Sequence, residues 1–194
     1  GAVELTATAK GWAVPPATNT TAETVDLTLP KRATIRVNAV DAASGEKLPV
    51  RVQIIPDAPL AKAPPTFGLK TDEPDDRLYR EYAIDGQLEV PVPPGGYRVV
   101  VTRGYEYELV NQTVTTEAGK TAKIDAPLKH SVDSTGVMCG DFHIHSFYSA
   151  DSSDPVDLKV KGAIADGLES PVSTEHEYII DCQPIVERLG MQAW

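Results

Sequence analysis

Sulfur is scarce in this sequence: its 194 residues include two cysteines and two methionines. Two cysteines, Cys139 and Cys182, are too few to staple a disulfide scaffold. Long apolar runs are missing as well. None approaches the roughly 20 residues that a bilayer-crossing helix needs, so no membrane span is expected. Positive charge is in short supply, with 18 Lys and Arg against 28 Asp and Glu, a formal net charge of -10. Such a surface repels phosphate backbones and anionic lipid, which argues against nucleic-acid and membrane-surface partners. The opening GAVELTATAK lacks a basic segment followed by an apolar one, so no signal peptide is visible.

Apolar residues are not lacking. They make up 41% of the chain, enough for a globular protein with one large or two small domains. Most follow the period of two that marks strands with one buried face. Val25, Leu27 and Leu29 share a face in TVDLTLP (24–30), as do Ile35, Val37 and Ala39 in ATIRVNAV (33–40). VRVQII (50–55), QLEVPV (87–92), YRVVVTRG (97–104), VNQTVTT (110–116) and TAKIDAPL (121–128) complete the set. Turn residues separate them in DAASGEKLP, PPGG and EAGK. The pattern predicts an antiparallel β-sandwich over 33–129, with Ile35 and Val37 inside. The Pro- and Asp-rich stretch 56–76 is expected to be a surface loop. Residues 1–32 are either an extra pair of edge strands or the tail of a preceding domain.

The texture changes after Leu128. Residues 130–137 read as a linker, and 138–194 as a second unit. DFHIH reads as a short strand. PVDLKVKGAIADG (155–167) reads as a helix, with Asp154 to cap it, Pro155 in its first turn and Gly167 as its stop. SPVST (170–174) is a second strand, and QPIVERLG (183–190) a second helix. Strand, helix, strand, helix predicts a βαβ unit on a parallel sheet.

Three of the four histidines lie in this unit. In an extended H-x-H segment His143 and His145 point to one face, and His176 follows the next strand. At the C-terminal edge of a parallel sheet these imidazoles are candidate ligands for a metal ion. Asp151 is either a further ligand or a turn residue of SADSSD. Glu175 adds a further carboxylate nearby. Glu177 reads as a solvated loop carboxylate and His130 as a surface residue. Cys139 and Cys182 fall toward opposite ends of the two strands and are expected to be free thiols.

GDFHIHSFYSAD, followed by a helix and then STEHE, resembles the opening of the PHP (polymerase and histidinol phosphatase) superfamily. PPGGYRVVVTRGYEYEL ahead of it, and EYIIDCQPIVERLGMQAW after it, resemble the CehA/McbA branch of metallohydrolases. The resemblance covers roughly residues 33–194 and departs from the family pattern at Glu175, where an Asp is usual. It implies a carboxypeptidase regulatory-like β-sandwich followed by the first βαβα part of a PHP (β/α)7 barrel. It also implies an N-terminal piece of a metal-dependent hydrolase, inactive alone, acting on small phosphoester or carbamate and amide-type substrates. Two or three zinc, manganese or iron ions would serve the complete domain, the rest of the barrel lying on a missing or separate polypeptide. The second reading is a β-sandwich binding module without catalytic activity, with Trp12, Phe67, Tyr79, Tyr82, Tyr105 and Tyr107 as candidates for a glycan face. An acidic, Pro- and Thr-rich sandwich leading the chain fits a periplasmic or extracellular location.

Overall fold

Alternation sets the architecture. The computed structural model describes residues 1–9, 12, 15–57 and 79–192. Two short strands, β1 (Val3–Leu5) and β2 (Thr18–Thr20), pair antiparallel near the N-terminus. Then come β3 (Ala33–Asp41), β4 (Val50–Pro56), β5 (Tyr79–Ala83), β6 (Gln87–Val92), β7 (Gly95–Thr102), β8 (Val110–Thr116) and β9 (Thr121–Leu128). They form a three-stranded sheet in the order β6-β3-β9 and a four-stranded sheet in the order β5-β4-β7-β8. All pairs are antiparallel except β3 with β9. Between the sheets, Ile35, Val37 and Ala39 meet Val50, Val52, Ile54, Val99 and Val101 in one fully buried core. This is the all-β sandwich that the period of two requires. Tyr97 is buried with them, and its hydroxyl donates to the Pro93 carbonyl at 2.6 Å. Burial raises its pKa beyond the ordinary phenol range.

One local expectation is corrected, and another falls outside the described residues. Residues 24–30 are not a strand, and Leu27 is exposed. Their alternation is not matched by a partner strand, and a period of two alone does not make a ladder. The expected loop over 56–76 lies, from residue 58 on, outside the described residues.

The sandwich carries a small second unit: β10 (Gly140–Ile144), α1 (Val156–Ala165), β11 (Ser170–Ser173) and α2 (Gln183–Arg188). The strands β10 and β11 pair in parallel, with a register irregularity between Asp141 and Ile144. Helix α1 stops where the sequence placed its glycine. Gly167 has φ 71°, the Leu168 N–H donates to the Ala163 carbonyl at 2.9 Å and the Gly167 N–H to that of Ile164 at 3.1 Å. The Asp154 cap does not form. Pro155 stands at the N-cap without a side-chain bond, and the Asp154 carboxylate pairs with Lys159 at 2.8 Å.

The expected fold class, a sandwich followed by the opening of a PHP (β/α)7 barrel, is corrected. The regular structure of the described residues is mostly sheet with two helices, and β11 pairs with β10 alone. The physical reason is one of range. H-x-H, the Pro and Gly bounds of α1 and the second apolar run specify local segments. Barrel closure is a property of many successive strand pairings, which no local signal encodes.

Helix α1 is seated against β4 and β5. The Arg103 guanidinium, 6% exposed, donates to the Pro49 carbonyl at 2.7 Å and reaches the Ile164 carbonyl at 3.5 Å. Burial lowers its pKa, and the phenol of Tyr107 and the carboxylate of Glu106 oppose that. Arg51 pairs with Asp166 at 3.4 Å, and Gly162 lies against the Tyr82 ring. Gly104 has φ +57° and leaves no room: a Cβ there would sit 2.1 Å from the Asp166 carbonyl oxygen.

Candidate metal centre

The loops that follow β10 and β11 meet at one edge of the two-stranded sheet. The Thr174 N–H donates to the Ile144 carbonyl at 2.9 Å, which fixes the two strand ends together. Glu175 then ties the loops. Both of its carboxylate oxygens accept from the Ser146 N–H, at 2.8 and 3.0 Å, and Oε2 also accepts from the Ser149 hydroxyl at 2.5 Å. The Ser149 Oγ accepts in turn from the His176 N–H at 3.0 Å. Ser146 and Ser149 are buried. Partial burial pushes the Glu175 pKa up, but the bonds from Ser146 and Ser149 together outweigh it, and the net shift is downward. With its oxygens so occupied, Glu175 orients the loops rather than facing the cluster. After His176 the chain turns sharply through Glu177, a non-glycine residue at φ 62°.

On this frame three side chains converge. His145 Nδ1 lies 2.9 Å from Asp151 Oδ1, and His176 Nε2 lies 3.3 Å from Asp151 Oδ2. One donor atom from each of the three falls within 4.8 Å of the others. Asp151 is exposed, and its carboxyl is held at about 2, chiefly by the hydrogen bond from His145, against an ordinary value of 3.8. Of the expected ligands His143, His145, Asp151 and His176, the last three form the tight group. His143 is exposed at its side, its ring centroid 4.7 Å from that of His145. His143, His145, Asp151, Ser152 and Lys159 line a shallow cavity of about 330 Å³.

The donor set fits a divalent ion. A tetrahedral zinc with ligand distances of about 2.0–2.1 Å needs donors about 3.3 Å apart. The two histidine–carboxylate separations, 2.9 Å to Asp151 Oδ1 and 3.3 Å to Oδ2, are close to that; the three donors together span up to 4.8 Å, so the side chains must draw in to close around an ion. Two imidazoles and one carboxylate suit zinc, manganese or iron and leave at least one coordination position open.

No family model matches the sequence, and no curated protein matches it. The chain is similar in structure to BcpA, the major pilin subunit of Bacillus cereus, at 13% identity and a TM-score of 0.40, over 53% of this chain and 31% of that one. It is similar to GBS52, the minor pilin of Streptococcus agalactiae, at 15% identity and 0.39, over 53% and 46%. A streptococcal ancillary pilin follows at 13% identity and 0.34, over 62% and 38%. The match thus spans less than half the length of each of these proteins.

The resemblance to the PHP superfamily and its CehA/McbA branch is corrected accordingly. No family model supports that resemblance, and the fold is a sandwich with two helices where a barrel was expected. The reading as a PHP-type metal-dependent hydrolase of phosphoester or carbamate bonds falls with it.

The remaining sequence candidates are placed as follows. Cys139 and Cys182 are free and half-buried; burial, with Asp181 and Glu175 nearby, raises the Cys182 thiol. The His130 ring lies 4.8 Å from that of Tyr107. Trp12 lies under the Arg32 guanidinium, Tyr82 against Gly162, and Tyr105 is exposed. Phe67 and the Tyr79 side chain fall outside what is described. Sequence reasoning missed Ser146 and Ser149, which carry no signature beyond lying in HSFYSAD. It also missed the aromatic pair of that segment. No helix among the described residues is long and apolar enough to cross a membrane.

Proposed function

We propose that this chain is a non-catalytic binding module, a β-sandwich that carries one divalent-cation site formed by His145, Asp151 and His176. The observation that carries the reading is the convergence of their donor atoms within 4.8 Å. Asp151 stands between the two imidazoles, and Glu175 braces both loops. His143 stands at the rim, next to the open side. His145, Asp151 and His176 would hold the ion, zinc, manganese or iron, which when bound would supply a positive anchor point for an oxygen donor from a partner or small ligand. Both loops spring from strand ends, which holds the donors in place without a closed pocket around them. The acidic, Pro- and Thr-rich composition supports a place outside the cytoplasm, which cell fractionation of the native producer would test.

Calorimetric titration with zinc tests the site. We expect one ion per chain, and a loss of at least about tenfold in affinity for His176→Ala. Zinc-loaded chain should hydrolyse p-nitrophenyl phosphate no faster than the His176→Ala variant. No zinc uptake, or uptake that His176→Ala leaves intact, would defeat the metal reading. Zinc-dependent turnover would defeat the non-catalytic one.

A further inference from the structure

Two residues beyond each histidine ligand, the same two loops build a second feature. Phe147 follows His145, and Tyr178 follows His176. With Tyr148 they form a stack: the Phe147 and Tyr148 centroids are 4.3 Å apart at 31°, and those of Tyr148 and Tyr178 are 5.5 Å apart at 42°. Water normally drives three such rings inside. Here they stay 53%, 41% and 58% exposed. They line a cavity of about 520 Å³ with Pro155, Ile179 and Arg188. That volume lies within the usual range for small-molecule sites, about 300–1,000 Å³. Arg188 is paired with Asp157 at the edge of the cavity.

The ledge cannot be far from the cation site. Two residues span at most about 7 Å of chain, so the backbones of Phe147 and Tyr178 lie within about 7 Å of those of His145 and His176. The Tyr148–Tyr178 contact joins the two loops, just as Asp151 joins their histidines. Two chemistries therefore lie side by side. One is a cation with an open coordination position and Lys159 in the same cavity. The other is a flat apolar surface.

We propose that the Phe147–Tyr148–Tyr178 ledge and the His145–Asp151–His176 cation site form one binding site for a small ligand with an anionic oxygen head and a flat aromatic body. The head binds the ion, and the ring lies on the ledge. A bare inorganic anion would leave the ledge wet, and a purely apolar ligand would leave the ion unused. The chain's charge of -10 disfavours a polyanionic partner. The inference rests on the cation reading above.

Its test uses two probes with the same metal-binding head, benzohydroxamate and acetohydroxamate, titrated into the zinc-loaded chain. Stacking on the ledge should make the aromatic probe bind about tenfold more tightly. The double variant Phe147→Ala, Tyr178→Ala should bring the two probes to within about twofold of each other, with zinc stoichiometry measured in parallel to show that the ion site persists. Equal affinities on the unaltered chain would overturn the proposal while leaving the cation site standing. So would an aromatic preference that survives in the double variant. A chain that takes up no zinc would overturn both. Sedimentation at rising concentration covers the other occupant: self-association abolished by the double variant would assign the ledge to a second copy of the chain, and the proposal would fail.

Discussion

Gly104 lies against the backbone at the end of α1, and its replacement by alanine gives a sharp structural test. Two costs add. The first is conformational: φ at Gly104 is +57°, a region that costs a residue with a Cβ about 1–2 kcal/mol. The second is contact: the new Cβ would lie 2.1 Å from the Asp166 carbonyl oxygen, a backbone atom that cannot swing aside. The end of α1 must lift. Lifting weakens the Arg103 bond to Ile164 and the Arg51 pair with Asp166, each contributing about 0.5–1.5 kcal/mol. The sum is a destabilisation of about 2–5 kcal/mol. Gly45 is the control: it too has positive φ, +76°, but nothing lies within 4 Å of its Cβ position. Gly45→Ala should cost only the strain, about 1 kcal/mol. Urea unfolding followed by far-ultraviolet circular dichroism measures both. The reasoning is refuted if the two variants lose the same stability within about 0.5 kcal/mol.

Other outcomes follow from the same geometry. Asp166 has its pKa raised by burial, with Arg51 and Arg80 opposing. The folded chain then holds that proton more tightly than the unfolded chain, and stability falls as pH rises above the ordinary carboxylate range. Asp166→Asn should flatten this part of the melting-temperature profile, and a profile unchanged by the substitution counts against it. Asp151 has the opposite sign: its hydrogen bonds add stability that is complete above 3.8 and lost as pH falls toward 2, so its carboxyl carbon in the metal-free chain should titrate near 2 by nuclear magnetic resonance rather than near 3.8. Val99→Ala, in the fully buried core, should cost about 2–4 kcal/mol in urea; a loss below about 1 kcal/mol would mean the sheets can close on the gap. Glu175→Gln keeps the shape but weakens the bonds to Ser146 and Ser149, and zinc affinity should drop by about 10–100-fold. An unchanged affinity would show that the loops hold themselves.

The sequence carried the sandwich well because burial there is periodic. β3 repeats buried and partly exposed positions along nearly its whole length, and the apolar letters follow. The end of α1 was legible for a different reason: Gly167 meets a backbone need that few other residues meet. Asp154 shows the limit of such rules, since Lys159 one turn on attracts its carboxylate away from the helix end. TVDLTLP had the right letters and no partner strand. The barrel expectation failed similarly, because HxH and TEHE describe two loop ends and say nothing about what pairs beyond β11. At the candidate site the histidines were visible from spacing. The brace made by Ser146, Ser149 and Glu175 was not, because it depends on two loops 26 to 29 residues apart meeting in space. The aromatic ledge was not legible, because no periodicity tells an exposed aromatic pair from a packed one.

X-ray absorption at the zinc edge of the loaded chain tests the central claim most directly. The account predicts nitrogen and oxygen neighbours only, at about 2.0–2.1 Å, with the outer-shell scattering of two imidazoles. That imidazole scattering should halve in His176→Ala. A sulfur neighbour at about 2.3 Å would place the ion on Cys139 or Cys182, and a shell of water oxygens without imidazole would show no site at all. Either result would contradict the assignment of His145, Asp151 and His176.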